Sequence, residues 1–236
     1  MKRIAAAAVL IAAVFVFSAA LAAEEAKWVE QPFNGKDLTG WKAKPQGKNV
    51  NRWVVGSAKL DPADPKKLAV SKEGTELINA EGGGLDFSSE AVYGDCILTL
   101  EVTVPKGSNS GIYLHGNYEI QVLDSFGREA NPGPGDMGGI YGAQAPKNPK
   151  YKAPGEWQTF EIHFQAPRFD AGGAKTANAK YLKVILNGVL IQENVEMVKG
   201  VTGGSLDGKE KAQGPILFQG NHGPVAFRNI KIVPLK

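Results

Sequence analysis

Glycine and proline interrupt this chain so often, 29 and 14 times in 236 residues, that few windows of about twelve residues escape a breaker. No window shows the periodicity of an amphipathic helix, and what recurs instead is alternation. Val102 and Val104 alternate with polar partners before the turn-rich run Pro105-Lys-Gly-Ser-Asn-Ser-Gly111. Ile112-Tyr-Leu-His115 and Tyr118-Glu-Ile-Gln-Val-Leu-Asp124 resume a period of two. Phe160, Ile162 and Phe164 take one face of a third stretch, and Glu161, His163 and Gln165 the other. Tyr181 to Leu186 and Val189 to Ile191 flank Asn187-Gly188, a pair that supplies the positive φ angles of a type I′ hairpin turn. Ile216 to Phe218 and Val225 to Val233 read as closing strands, and the apolar run Cys96 to Leu100 makes Cys96 a small core residue. The pattern predicts an all-β jelly-roll sandwich of antiparallel sheets. Asp61 to Lys67, Gly127 to Lys152 and Arg168 to Lys180 read as its loops.

The first residues form an export signal. Lys2 and Arg3 precede the apolar run Ile4 to Phe17, and Ala20 and Ala22 are the small residues that signal peptidase needs. Residues 1–22 are therefore expected to be removed, leaving 23–236 as one domain that is secreted or periplasmic and without a stable membrane anchor. The formal charge of +3, less Lys2 and Arg3, becomes +1. Nothing in that balance attracts nucleic acid. Cys96 is alone, so no intrachain disulfide forms.

Two phosphate-loop strings fail on context. Gly133-Pro-Gly135-Asp-Met-Gly138 lies in a Pro-rich loop, away from any strand-to-helix turn. Gly203 to Lys209 approaches a P-loop, but Glu210 stands where Ser or Thr must hold magnesium. His115, His163 and His222 fall into no zinc spacing.

Strand parity gathers a different set. With Ile112, Leu114, Ile120 and Val122 on the core, Tyr113, His115, Glu119 and Gln121 share the opposite face. A ring, an imidazole, a carboxylate and an amide suit a sugar, whose apolar faces stack on rings and whose hydroxyls pair with planar groups. Any solvated antiparallel face alternates polar residues too.

Five segments then occur in order: Asn109-Ser-Gly-Ile-Tyr-Leu-His-Gly116, Tyr118-Glu-Ile-Gln-Val-Leu-Asp-Ser125, Gly138-Gly-Ile-Tyr-Gly142, Pro154-Gly-Glu-Trp157 and Val225-Ala-Phe-Arg-Asn-Ile230. Together they resemble the 3-keto-disaccharide hydrolase domain family, also described as 3-keto-glucoside lyase/hydratase, from about Trp28 to the C-terminus. The sequence departs from that family's pattern where His115 replaces a frequent Arg, and where Phe218-Gln-Gly-Asn-His-Gly223 shifts His222 by one residue from Gln219. The resemblance implies a concanavalin A-like fold and an oxidised glycoside as substrate. The ketone at carbon 3 acidifies the proton on carbon 2; a base removes it, the aglycone leaves carbon 1, and water adds to the enone.

On that chemistry Glu119 is the preferred base or acid, with His115, His222 and Gln121 as candidate donors to the enolate. Gln219 lies beside His222, and Tyr141 lines the cleft from the long loop. Asp124 either contacts substrate or caps the loop after its strand, and Arg228 either clamps a hydroxyl or pairs with a carboxylate. A divalent metal held by His115, Glu119 and His222 would serve the enolate as a Lewis acid. Trp157 and Trp53 read as packing rings. A non-catalytic, lectin-like sandwich and a protein-binding surface domain remain as alternatives. N-terminal sequencing of the exported protein is expected to begin at Ala23 or Glu24; recovery of Met1 in a membrane fraction would overturn the export reading.

Overall fold

The computed structural model describes residues 29–45 and 47–235; residues 1–22, read from sequence as an export signal, lie outside them. Its strands are β1 (Trp41–Ala43), β2 (Trp53–Leu60), β3 (Leu68–Asn79), β4 (Phe87–Ser89), β5 (Cys96–Thr103), β6 (Asn109–Leu114) and β7 (Tyr118–Leu123). There follow β8 (Gln158–Gln165), β9 (Arg168–Phe169), β10 (Lys175–Ala177), β11 (Lys180–Leu186), β12 (Val189–Glu196), β13 (Leu217–Phe218) and β14 (Val225–Pro234). No helix occurs among the described residues.

Two antiparallel sheets face each other. A five-stranded sheet runs β1-β4-β13-β6-β7, and a seven-stranded sheet runs β12-β11-β8-β5-β14-β3-β2. This is the jelly-roll sandwich that the alternation predicts. Asn187 and Gly188 adopt φ of 51° and 79°, and Leu186 pairs with Val189 across them, as a type I′ turn requires. Two features differ from the sequence reading. Strands β1 to β4 precede the first predicted one, and the stretch read as a loop from Arg168 folds into the small hairpin β9–β10.

Period two supplies the core. Leu98, Leu100 and Val102 of β5, with Phe160, Ile162 and Phe164 of β8, meet Ile112, Leu114, Ile120 and Val122 of the β6–β7 hairpin, all buried in one cluster. Aromatic rings tie the sheets at one end. Phe218 of β13 stacks on Phe227 of β14 with centroids 4.0 Å apart, and Trp53 of β2 lies 5.6 Å from Phe87 of β4. At the other end the Tyr181 hydroxyl reaches across and donates to the Tyr118 carbonyl at 2.7 Å. Phe218→Ala is expected to cost about 3–5 kcal/mol in urea unfolding, with the denaturant slope unchanged. A loss below about 1 kcal/mol would show that this stack does not join the sheets.

Candidate functional site

The outer face of the five-stranded sheet is not solvated where β6 and β7 lie. Tyr113, Glu119 and Gln121 point away from the core as parity requires, yet each is buried. Two loops cover them. Residues 138–141 lay themselves along the free edge of β7: Gly138 N–H donates to the Gln121 carbonyl (2.8 Å), Gln121 N–H to the Gly139 carbonyl (2.8 Å) and Tyr141 N–H to the Glu119 carbonyl (3.1 Å). The edge is thereby paired, and Tyr141 is delivered to the rim. Along the same edge Thr202 accepts the Glu119 N–H on its hydroxyl at 3.0 Å and donates to the Asn117 carbonyl at 3.1 Å. Gly203 follows, its carbonyl accepting from the Tyr113 hydroxyl at 3.0 Å. At Gly204, with φ of 75°, any side chain would run into that hydroxyl.

What remains between the loops is a cavity of about 190 Å³ lined by Asn109, Tyr113, Glu119, Gln121, Tyr141, Gly203, Gly204, Gln219, Asn221 and His222. Glu119 stands directly across from Tyr113 in the β6–β7 register, and Gly111 is its diagonal neighbour. A Cβ at position 111 would collide with the Glu119 carboxyl, so glycine there is what lets the carboxyl lie flat over β6. The Tyr113 phenol accepts from the Gln219 amide at 3.3 Å, and its proton has both the Gly203 carbonyl and the Glu119 carboxylate in reach. Gln121 donates to Asn109 at 2.6 Å. His222 is exposed at the mouth, its Nδ1 against the Asn221 side-chain oxygen.

Burial governs the electrostatics. It pushes the Glu119 carboxyl from 4.5 up to about 8; the Tyr113 hydrogen bond opposes the rise, and the Asp86 charge adds to it. The Tyr113 phenol is itself driven above the ordinary tyrosine value by burial first and by Glu119 second. A neutral or barely ionised glutamate therefore faces a small polar chamber near neutral pH, where it can take or give a proton.

Of the residues picked from sequence, Tyr113, Glu119, Gln121, Tyr141, Gln219 and His222 meet in this chamber. Three do not. His115 follows the last residue of β6 with φ of 54°, and strand parity stops there. Its ring turns to the core side, 5.0 Å from Phe164, with Nε2 3.2 Å from the Gly94 carbonyl. Burial holds its pKa below the usual histidine value. The metal set His115–Glu119–His222 is consequently not assembled, and no group of metal-binding side chains forms among the described residues. Asp124 caps backbone: its oxygens accept from Gly107 N–H at 2.8 Å and Phe126 N–H at 3.4 Å. Arg228 lies on the other sheet, bonded to Glu101 at 2.6 Å and 4.1 Å above the Trp157 ring.

Asn109 and Asn221 join the lining without having been singled out by sequence. Asn109 shares parity with Gly111 and Tyr113, so extending the alternation by one step finds it. Gly203 and Gly204 carry no local signal, because their role exists only through contacts about ninety residues away in the chain.

Fold and chamber together define a jelly-roll β-sandwich with a buried carboxyl in a polar cavity on one sheet face. The chain belongs to the family of 3-keto-alpha-glucoside-1,2-lyase-like domains, whose sequence profile matches residues 28–233. A candidate glycosyl hydrolase of Parabacteroides distasonis is 27% identical, with a TM-score of 0.65 over 88% of this chain and 84% of its own. A second from the same organism, at 19% identity, covers 90% and 96% with a TM-score of 0.60 and shows the fold alone. No curated protein matches the chain.

The raised Glu119 pKa has a measurable sign. Between 4.5 and about 8 the folded protein keeps a proton that the unfolded chain has lost, so this group's stabilisation is full below 4.5 and is lost as pH rises through 8. Glu119→Gln removes that loss. The variant should gain stability relative to the parent from pH 5 to 8, with a slope of up to about 1.4 kcal/mol per pH unit. A pH-independent difference in denaturant midpoints would show that the carboxyl is not held neutral.

Proposed function

We propose that this protein cleaves glycosides already oxidised to a ketone at ring carbon 3, by elimination across carbons 1 and 2 followed by hydration, in the Glu119 chamber. The observation that carries this reading is Glu119 itself, a buried carboxyl with a pKa near 8 in a sugar-sized polar cavity, in a chain of this family. A carbon acid next to a ketone needs a base stronger than an ordinary carboxylate, and desolvation supplies one. At about 190 Å³ the cavity is smaller than the ~300–1,000 Å³ of sites for drug-sized ligands, so one pyranose ring enters and the aglycone stays outside. The exposed Tyr141 ring at the rim offers that aglycone a stacking surface.

In this scheme ionised Glu119 takes the carbon 2 proton, and electron density moves onto the carbon 3 oxygen. The Gln219 amide and the Tyr113 hydroxyl are the donors beside it for that oxygen. His222 at the mouth gives a proton to the departing oxygen on carbon 1. Water then attacks carbon 1 of the enone and yields its proton to His222, while Glu119 returns its proton to carbon 2. The sum is hydrolysis, and both groups end as they began. We also propose export of the mature chain, for which the Lys2-Arg3 and Ala20-x-Ala22 pattern speaks.

Incubation with 3-keto-trehalose or 3-keto-sucrose is expected to release 3-keto-glucose. In kcat/KM the limb belonging to Glu119 should rise with pH toward about 8, because the ionised form acts. Glu119→Gln should lose at least ~100-fold in kcat with KM nearly unchanged. A fully active variant would exclude Glu119 as the proton-transfer group. Binding of unoxidised glucans without turnover of any keto-glycoside would replace the enzyme reading with the lectin-like one.

A further inference from the structure

Two charged residues that do not line the cavity stand behind it. Asp86 immediately precedes β4, one step beyond the Phe87–Phe218 pair, which brings it alongside Gln219 on the chamber's face of the sheet. Its side chain is 1% exposed. Oδ1 accepts the Gly220 N–H at 3.0 Å, fixing the start of the segment that carries Asn221 and His222. The Asp86 main-chain carbonyl accepts the Lys44 N–H at 2.8 Å, so the two residues are held side by side across β1 and β4. The Lys44 ammonium donates to the Gly204 and Ser205 carbonyls at 3.1 and 2.7 Å and lies 3.9 Å from Asp86 Oδ2.

We propose that Lys44 and Asp86 form a clasp that positions Glu119: the carboxylate holds the Gly220–His222 wall, the ammonium holds the Gly203–Ser205 wall, and each holds the other. A carboxylate this buried is tolerated only with hydrogen bonds and a counter-charge, and the clasp provides both. Two of the ammonium's donors go to carbonyls of one wall, and its charge lies 3.9 Å from the carboxylate that grips the other.

The Asp86 end of the clasp also adds to the effect of burial on Glu119. The titratable groups that face it are Tyr113 from β6, Tyr141 from the segment after β7, His222 from the β13–β14 loop, Tyr181 from the opposite sheet, and Asp86 with Lys44 behind it. Asp86 opposes ionisation of Glu119, and the Lys44 ammonium lies 3.9 Å from that carboxylate. Asp86→Asn keeps the shape and an acceptor for Gly220 N–H, while it removes a negative charge and leaves the ammonium unopposed. Both changes favour ionised Glu119. Lys44→Met acts in the opposite sense and frees the Gly204–Ser205 wall, and Lys44→Arg retains a cation able to bridge.

The kinetic consequence rests on Glu119 being the proton-transfer group; the structural one does not. Carboxyl titration of the intact protein, by carbon-13 NMR with labelled glutamate and Glu119→Gln for assignment, reads the clasp without substrate. The Glu119 midpoint should fall in Asp86→Asn, rise in Lys44→Met and return toward the parent value in Lys44→Arg. In turnover of a 3-keto-glucoside, the pH limb of kcat/KM should move with the midpoint. An unmoved midpoint in folded Asp86→Asn or Lys44→Met overturns the proposal. If Asp86→Asn fails to fold, the Lys44 pair decides by the same criterion. A parent protein that turns over no keto-glycoside defeats the proposed function and leaves the titration to judge the clasp.

Discussion

The pairing of β6 with β7 decides which face every functional side chain occupies. Tyr113 stands opposite Glu119, and Ile112 opposite Ile120. A slip of one residue would drive the glutamate into the aromatic core and turn Ile120 into the chamber. The turn that fixes this register is built from His115 and Gly116, both with positive φ, and from Asn117, whose N–H donates to the Leu114 carbonyl at 3.0 Å. Its imidazole then packs on Tyr118 and Phe164. His115 therefore contributes to the site by holding the register from the opposite side of the sheet.

Once the register is set, the chamber is a consequence of how the outer face is covered. An open antiparallel face would leave Glu119 in water at an ordinary carboxylate pKa. Here the β7 edge accepts residues 138–141 and Thr202, so both outward backbone groups of Glu119 are satisfied by the loops that bury its side chain. Covering the edge and desolvating the carboxyl are one event. Glycine at 111 and 204 gives the carboxyl and the phenol room to lie between sheet and loop.

This division explains what the sequence made legible. Strand periodicity is local, so the sandwich, the Asn187-Gly188 hairpin and the outward set Tyr113, Glu119 and Gln121 follow from it. It ends where the strand ends, which is why His115 goes elsewhere: one residue beyond β6 a positive φ outranks parity, while Asp124, one residue beyond β7, takes the backbone-capping role that was one of its two readings. Arg228 has the right parity on the wrong sheet, since alternation cannot say which layer a strand joins. The walls contributed by Gly203, Gly204 and Gly220, and the Lys44–Asp86 clasp, depend on long-range loop docking that no period encodes.

Parity alone would have made β8 an equal candidate, and comparison shows why it is not one. Glu161 and His163 share an outward face just as Glu119 and Gln121 do, and a larger depression of about 530 Å³ lies beside Glu161. Yet Glu161 meets His163 at 2.6 Å and Lys183 at 3.3 Å, and its side chain is 40% exposed. The His163 hydrogen bond, followed by burial in the opposing direction and then by Lys183, leaves its carboxyl below the ordinary glutamate value. Such a group is a weak base held in a solvated ion pair, with little capacity to accept a proton from carbon. Among the described residues Glu119 carries no cationic partner at its carboxyl; it is closed off by two loops, and burial pushes it up to about 8. The same residue type on the same strand parity thus acquires opposite acid–base character from the layer above it, and the chemistry of this sandwich follows the loops that cover the sheet.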